Sequence, residues 1–248
     1  MISQFLSNLQ NRCYSRNTII LYGRLLRQFA AYAAPLGFTW SSLSGDAINQ
    51  YMQSQPTWSG ESRRCFLSAL TSFYAFLRMK SPVERWLRPR RQRHPLDVVP
   101  ASVVSSVFKS SCPRDVKGAV LLAYDCGLRY SEICALSIDC VDFDANRLHV
   151  RSSKGGKSRF VPMTKRVAAY LKSLGRFSSA YDHPDYEGRL AIANALSQYG
   201  HHYSCHCLRH SFASNRVAEG IPIEKVQYLL GHSNILTTSY YVHYFGYQ

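Results

Sequence analysis

A chain of 248 residues has room for one or two domains with real cores, and 46% hydrophobic against 18% charged residues excludes a disordered or low-complexity polypeptide. Thirty Lys and Arg against fifteen Asp and Glu leave a formal charge of +15, which points to a polyanionic partner, most simply nucleic acid, rather than to a basic protein merely kept soluble by its charge. No apolar run approaches the roughly 18 residues that span a bilayer, residues 1–12 lack a charged-then-apolar leader, and the eight cysteines form no Cys-x-x-Cys pair, so reduced thiols in the cytoplasm are expected.

Residues 1–80 read as a helical unit. Ser15 and Thr18 start a helix in which Ile19, Tyr22, Leu26 and Phe29 or Ala30 recur at three- and four-residue steps, and Pro35 and Gly37 end it. A shorter helix is expected over 46–53. Ser59, Gly60, Glu61 and Ser62 open a third, with Phe66, Ala69, Leu70, Phe73 and Leu77 along one side. Eight Lys and Arg against two Asp and Glu make this unit basic. Residues 81–100 break the pattern with Pro82, Pro89, Pro95 and Pro100 among Arg85, Arg88, Arg90, Arg91 and Arg93. Proline excludes a regular helix there and the arginines repel one another, so an extended linker is expected, either solvated or touching a polyanion.

A second unit spans 101–248. Residues 103–108 and 116–124 are apolar and helical, Gly127 stops the second of these helices, and 130–136 reads as a short helix. The period then falls to two. Leu148 and Val150 alternate with Arg147, His149 and Arg151, Gly155 and Gly156 mark a turn, and 158–163 returns, giving a β-hairpin with Lys154 at or near its tip. Thr164 caps a helix with Val167, Tyr170, Leu171 and Leu174 on one face. Residues 176–203 read as irregular except for a helix over 190–199. A helix over 208–219 ends at Gly220, and Pro222 opens a last one, with Val226, Leu229 and Leu230 apolar and Gly231 as its stop.

Several polar residues fall at the expected ends of these elements: Arg129, Lys154, His206, Arg209, His210, His232 and the pair Tyr240 and Tyr241. Arg, Lys and His are the donors wanted around a phosphodiester whose charge grows in a transition state. A Lys can protonate a departing sugar oxygen, and a Tyr hydroxyl can attack phosphorus if a base or a cationic field helps it ionise. Each residue alone also has a plainer role. Arg129 can pair with Asp125 or Glu132, Lys154 can be a turn lysine, His206 and His232 can be hydrogen-bonded helix-end histidines, and a tyrosine near a terminus can simply pack.

Order and spacing change that balance. The stretches CHCLRHSFAS (205–214), VQYLLGHS (226–233) and ILTTSYYVH (235–243) follow the pattern H-x-L-R-H-[ST]-F-A, L-G-H-S, T-T-x-x-Y-x-H. Upstream, YDCGLRYSE (124–132) matches T-G-L-R-x-S-E, and KGGKSRFVP (154–162) matches a lysine-bearing hairpin. The chain resembles the tyrosine recombinase (phage integrase) family, in particular its Xer and integrase-like site-specific DNA recombinases. The resemblance implies a mainly α fold with a small β-hairpin or sheet, arranged as a two-domain DNA clamp. Its parts are a helical, SAM-like core-binding domain (1–80), an Arg/Pro-rich linker (81–100) and an α+β catalytic domain (101–248).

Carried over by position, the resemblance implies that Arg129 and Arg209 hold the scissile phosphate. Lys154 is the general acid to the 5′ oxygen, His206 moves the proton of the nucleophile, His232 donates to a phosphate oxygen, and Tyr241 attacks to give a 3′-phosphotyrosine. Glu132 buttresses Arg129, and His210 is a hydrogen-bonding neighbour. Tyr240 and Tyr244 compete for the nucleophile's place, but only Tyr241 stands at the spacing of the motif. No cofactor and no metal are implied. The partners implied are double-stranded DNA with inverted core binding sites and further copies of the chain, a tetramer in the synapse. The setting is the nucleoid, for integration, excision or inversion of a mobile element or resolution of replicon multimers. Two departures stand out: only about 30 residues separate Leu174 from His206, and seven residues follow Tyr241, a short tail for exchange between protomers. The alternatives are an inactive DNA-binding regulator of the same fold, a type IB topoisomerase-like enzyme, and a zinc site drawn from His201, His202, Cys205, His206, Cys207 and His210, whose spacing is weak.

Overall fold

The computed structural model describes residues 1–84, 87–90, 97–151, 158–183, 186–199 and 202–231. The chain divides into two compact units, Met1–His94 and Pro95–Gln248, each with its own apolar core. Among the described residues no helix is long and apolar enough to cross a membrane.

In the first unit α1 (Ile2–Asn11), α2 (Arg16–Ala33), α3 (Gly45–Gln53) and α4 (Gly60–Phe76) pack around aromatic rings. Ser15, Ser44 and Ser59 begin α2, α3 and α4, each accepting a hydrogen bond at 3.2 Å from the backbone N–H three residues on. That bond satisfies one of the donors a helix start leaves open. The rings of Phe29 and Phe66 meet edge-on at 5.2 Å, and those of Phe5 and Phe73 at 5.3 Å. The helix α1 is an addition to the sequence reading. It has no side-chain cap, and Phe5 and Leu9, one turn apart, are the residues that bury it. The end of α2 follows expectation: a 3₁₀ turn holds Pro35, and Gly37 takes the left-handed conformation at φ +74°.

The division between units falls inside the expected linker 81–100. The described part of that segment has no α-helix, but it is anchored. Leu87 is buried in the first core, Arg64 Nη1 donates to the Pro89 carbonyl at 2.7 Å, and Arg88 Nη2 donates to Thr71 Oγ1 at 3.2 Å. Val99 is buried in the second core, and its N–H donates to Ser211 Oγ at 2.7 Å.

The second unit contains α5 (Ala101–Lys109), α6 (Arg114–Cys126), α7 (Tyr130–Cys134), α8 (Lys165–Leu174), α9 (Tyr186–Ser197), α10 (Cys205–Ala218) and α11 (Ile223–Leu230). It also holds an antiparallel sheet of β1 (Val141–Asp142), β2 (Arg147–Val150) and β3 (Arg159–Pro162), in that order. The helix α6 is buried almost throughout and packs against α10. Gly127 ends α6 at φ +64°, and a Cβ there would lie 2.4 Å from Phe212 Cδ1, so both backbone and packing demand glycine. The expected hairpin is present, with Leu148 opposite Val161 and both fully buried; its turn, 152–157, lies outside the described residues. Strand β1, only two residues long, carries too little pattern to be read in advance. Two helices start earlier than the sequence reading places them, α9 at Tyr186 and α10 at Cys205. Thr164 caps α8, accepting from the Val167 N–H at 3.3 Å and donating to Asp125 Oδ2 at 2.5 Å.

Candidate active site

Arg129 stands at the start of α7, one residue beyond the buried Leu128 that follows Gly127. The left-handed glycine turns the chain sharply between α6 and α7, and this turn presents Arg129. Three residues on, Glu132 folds back and accepts the Arg129 backbone N–H at 2.8 Å and its Nη1 at 2.9 Å. Glu132 is 5% exposed. Of the two partners open to Arg129 on sequence, Glu132 is therefore the one it takes; Asp125 is bound by Arg166 instead.

Two further arginines reach the same carboxylate. Arg159, facing inward from β3, forms a two-pronged pair with it, Nη1 to Oε1 and Nη2 to Oε2, both at 2.9 Å. Arg209, from α10, places Nη1 3.7 Å from Oε2. Burial alone would push the Glu132 carboxyl up. The hydrogen bonds and charge of Arg159, the Arg129 N–H and the charge of Arg209 outweigh it and hold the group below its ordinary range. Three guanidinium groups thus surround one carboxylate, leaving two cations in excess.

The remaining donors of these arginines cap helix ends. Arg209 Nη1 donates to the Gly127 carbonyl at 2.7 Å, Arg159 Nε to Leu229 O at 2.6 Å, Arg209 Nη2 to Leu230 O, and Arg129 Nη2 to Gly231 O at 3.1 Å. The last carbonyls of α6 and α11 have no partner within their helices and carry the negative end of the helix dipole, so cations are stabilising there. Three successive carbonyls at the end of α11 are each held by a different arginine. Gly231 itself has φ +62°, and a Cβ on it would meet Arg159 Nη1 at 2.9 Å.

His206 lies in the first turn of α10, its ring 4.4 Å from that of His210 in a T-shaped contact. Partial desolvation of its ring by the surrounding protein, followed by the charges of Arg209 and Arg129, lowers the His206 pKa. Burial, followed by His206 and Arg209, pushes His210 down to about 4. Both imidazoles are therefore neutral at pH 7, the form that offers a ring nitrogen as an acceptor. Arg129, His206 and Arg209 line one open concavity of about 370 Å³ with Ser131, Ser204 and Arg189. Arg129 shows 40% of its side chain to solvent, whereas Arg209 is 1% exposed and forms part of the wall.

The structure therefore brings together Arg129, His206 and Arg209 of the expected site. Lys154, His232 and Tyr241 lie outside the described residues, as do Tyr240 and Tyr244. The expected buttressing of Arg129 by Glu132 is seen directly. Two residues escaped the sequence reading. Arg159 was legible in principle, because period-two alternation puts it on the same face of β3 as the buried Val161. Arg189, with its guanidinium carbon 4.9 Å from the Tyr130 ring centroid, sits on the part of α9 read as irregular. For the zinc alternative, no group of three His, Cys, Asp or Glu side chains able to hold a metal occurs among the described residues, and His201 lies outside them.

The model of the phage integrase family matches residues 102–187 and 183–246, and that of the phage integrase N-terminal SAM-like domain matches residues 2–81. Among curated proteins, a tyrosine recombinase of Thermosipho africanus is 30% identical, covering 98% of this chain and 93% of its own length. The tyrosine recombinase XerA of Pyrococcus horikoshii is also 30% identical, covering 97% and 88%. Similar folds occur in the Tn1549 transposon integrase in complex with transposon right-end DNA (TM-score 0.75, 17% identity, 100% and 95% covered) and in a lambda integrase dimer bound to a core site (TM-score 0.75, 15% identity, 99% and 95% covered).

Proposed function

The chain belongs to the phage integrase family, the tyrosine recombinases, and from that premise we propose that it cleaves and rejoins DNA strands at specific sites through a 3′-phosphotyrosine intermediate. The observation that carries this reading is the cluster of three arginines on one buried carboxylate. Its cationic excess is fixed before any ligand arrives, and it opens on the concavity where Arg129 and His206 face solvent. Donors held in place beforehand need no reorganisation when charge develops on a phosphate.

In this reaction the Tyr241 hydroxyl loses its proton to neutral His206 and its oxygen bonds to phosphorus. The bond from phosphorus to the 5′ oxygen breaks, and that oxygen takes a proton from Lys154. Arg129, Arg209 and His232 donate to the non-bridging oxygens. Rejoining is the same exchange in reverse, with a 5′ hydroxyl as attacking group. The ester keeps the energy of the broken bond, so the cycle consumes no cofactor. The partner is double-stranded DNA with inverted core sites, contacted both by a core-binding domain (1–80) and by a catalytic domain (101–248) joined by the linker 81–100, with a tetramer forming the synapse. The balance of 17 Lys and Arg against 11 Asp and Glu over 101–248, like the basic first unit, supports contact with DNA from both. The setting is the cytoplasmic nucleoid, for integration, excision or inversion of a mobile element or for resolution of replicon multimers.

A DNA duplex nicked near the exchange point tests the reading, because a short fragment diffuses away after cleavage and traps the intermediate. A covalent protein–DNA band that survives denaturation is expected, and Arg129→Ala or Arg209→Ala should lower its rate by about 10²–10³ while binding persists. A gel shift without a covalent band would instead mark a DNA-binding regulator, and relaxation of supercoils lacking any specific site would mark a topoisomerase. Binding itself should weaken steeply with salt.

A further inference from the structure

We propose that Arg159 is a positioning residue of the cleavage site, which neutralises Glu132 and fixes the end of α11 so that Arg129 keeps its donors for the phosphate. The inference rests on the cleavage reaction proposed above. Arg159 is 3% exposed and does not face the open concavity, so it acts through others. Three segments meet on its guanidinium. It extends from β3, five residues after Lys154 in the chain. Both its Nη atoms engage Glu132, and its Nε holds the Leu229 carbonyl two residues before Gly231.

The geometry defines what each contact does. Oε1 of Glu132 is shared, accepting 2.9 Å bonds from both Arg129 Nη1 and Arg159 Nη1. Without Arg159, the carboxylate would lose its two-pronged partner and lean on Arg129 at 2.9 Å and Arg209 at 3.7 Å alone, and the cationic excess beside an incoming phosphate would halve. The carboxylate would then draw Arg129 into a closer pair and repel the anion that Arg129 should bind. A Lys cannot replace this fork, because an ammonium offers one point charge where two parallel bonds and a third, to Leu229 O, are made.

The test compares two nicked DNA substrates, one with an ordinary scissile phosphodiester and one with a neutral methylphosphonate in its place. The full chain is used throughout, with adduct formation read in a single turnover and DNA affinity measured separately. Arg159→Met, which removes the charge, is expected to slow cleavage of the phosphodiester at least about tenfold, a share of the 10²–10³ that a direct donor supplies. DNA affinity should stay within about threefold, and the rate on the methylphosphonate, whose ground and transition states each carry one negative charge fewer for Glu132 to repel, should fall clearly less than that on the phosphodiester. Cleavage of the phosphodiester within twofold of wild type would overturn the proposal. So would an equal loss on both substrates, which is the signature of a purely structural role.

Because breaking a buried two-pronged pair from one side threatens folding, the double variant Glu132→Gln/Arg159→Met removes both charges together and serves as the second arm. It should cleave the phosphodiester faster than Arg159→Met alone; equal or slower cleavage would refute the electrostatic route. Wild type on the same DNA separates failure of the reaction from failure of the role given to Arg159. No wild-type adduct would sink the reaction itself, whereas a wild-type adduct with indifferent Arg159 variants would sink only this inference.

Discussion

Replacing Glu132 with Gln keeps the shape of the side chain and deletes one charge at the point where three arginines converge. Arg159 and Arg209 are 3% and 1% exposed, so neither guanidinium can recover its hydration when the carboxylate goes. Breaking a buried pair from one side costs about 3–5 kcal/mol. In a unit of this size each kcal/mol moves the melting midpoint by about 2–4 °C, so a fall of roughly 6–20 °C is expected. Far-UV circular dichroism of the full chain reads this fall. The three tryptophans, at 40, 58 and 86, all belong to the first unit, so their fluorescence separates its melting from that of the second. Acid supplies an internal control. The Glu132 pKa is held below its ordinary value, so the stability it contributes is complete above about pH 4.5 and is lost as pH falls through the lowered value. The gap between wild type and Glu132→Gln should therefore close in strong acid. A midpoint within about 2 °C of wild type at pH 7 would show instead that the buried arginines need no carboxylate.

His210 should set a second, milder acid dependence. Its pKa drops from 6.5 to about 4 on folding, so between those values the unfolded chain takes up a proton that the folded one refuses. Stability should fall by up to about 3 kcal/mol across that window and level off below it. His210→Gln should flatten this part of a plot of urea midpoint against pH. In the first unit, Phe66→Ala empties the centre of a ring cluster formed with Phe29, Tyr51 and Trp58, and a loss of about 3–5 kcal/mol should appear in the fluorescence-monitored urea transition. Gly127→Ala combines a positive φ with a Cβ 2.4 Å from Phe212, and it disturbs the carbonyl that holds Arg209. It should cost at least about 1–3 kcal/mol by chemical denaturation, and it should slow adduct formation more than it weakens DNA binding.

Local signals made much of this fold legible. Ser15, Ser59 and Thr164 each sit before an apolar repeat and each caps a helix as a lone oxygen acceptor should. Leu148 and Val150 announce β2 by alternation, and Gly127 and Gly231 stop helices at positive φ. What escaped depends on partners distant in sequence or on patterns too short to read. Helix α1 has no cap and is secured by Phe5 against Phe73, a contact made by the tertiary fold. Strand β1 is two residues of a ladder that only β2 defines. At the site, Glu132 is three residues from Arg129, a separation visible on a helix. Arg159 lies 27 residues from Glu132 and 70 from Leu229. Alternation along β3 puts Arg159 on the inner face, but only the fold supplies the buried carboxylate it meets there.

If the cationic cluster serves phosphodiester exchange as proposed, Tyr241 is the nucleophile that carries the DNA. Mass spectrometry of the protease-digested adduct, trapped on nicked DNA, tests it most directly. A single modified peptide that contains residues 240–244 is expected, with the nucleotide on Tyr241, and no adduct from Tyr241→Phe despite unchanged DNA binding. A nucleotide on Tyr240, Tyr244 or any other side chain, or an adduct that persists in Tyr241→Phe, would contradict it.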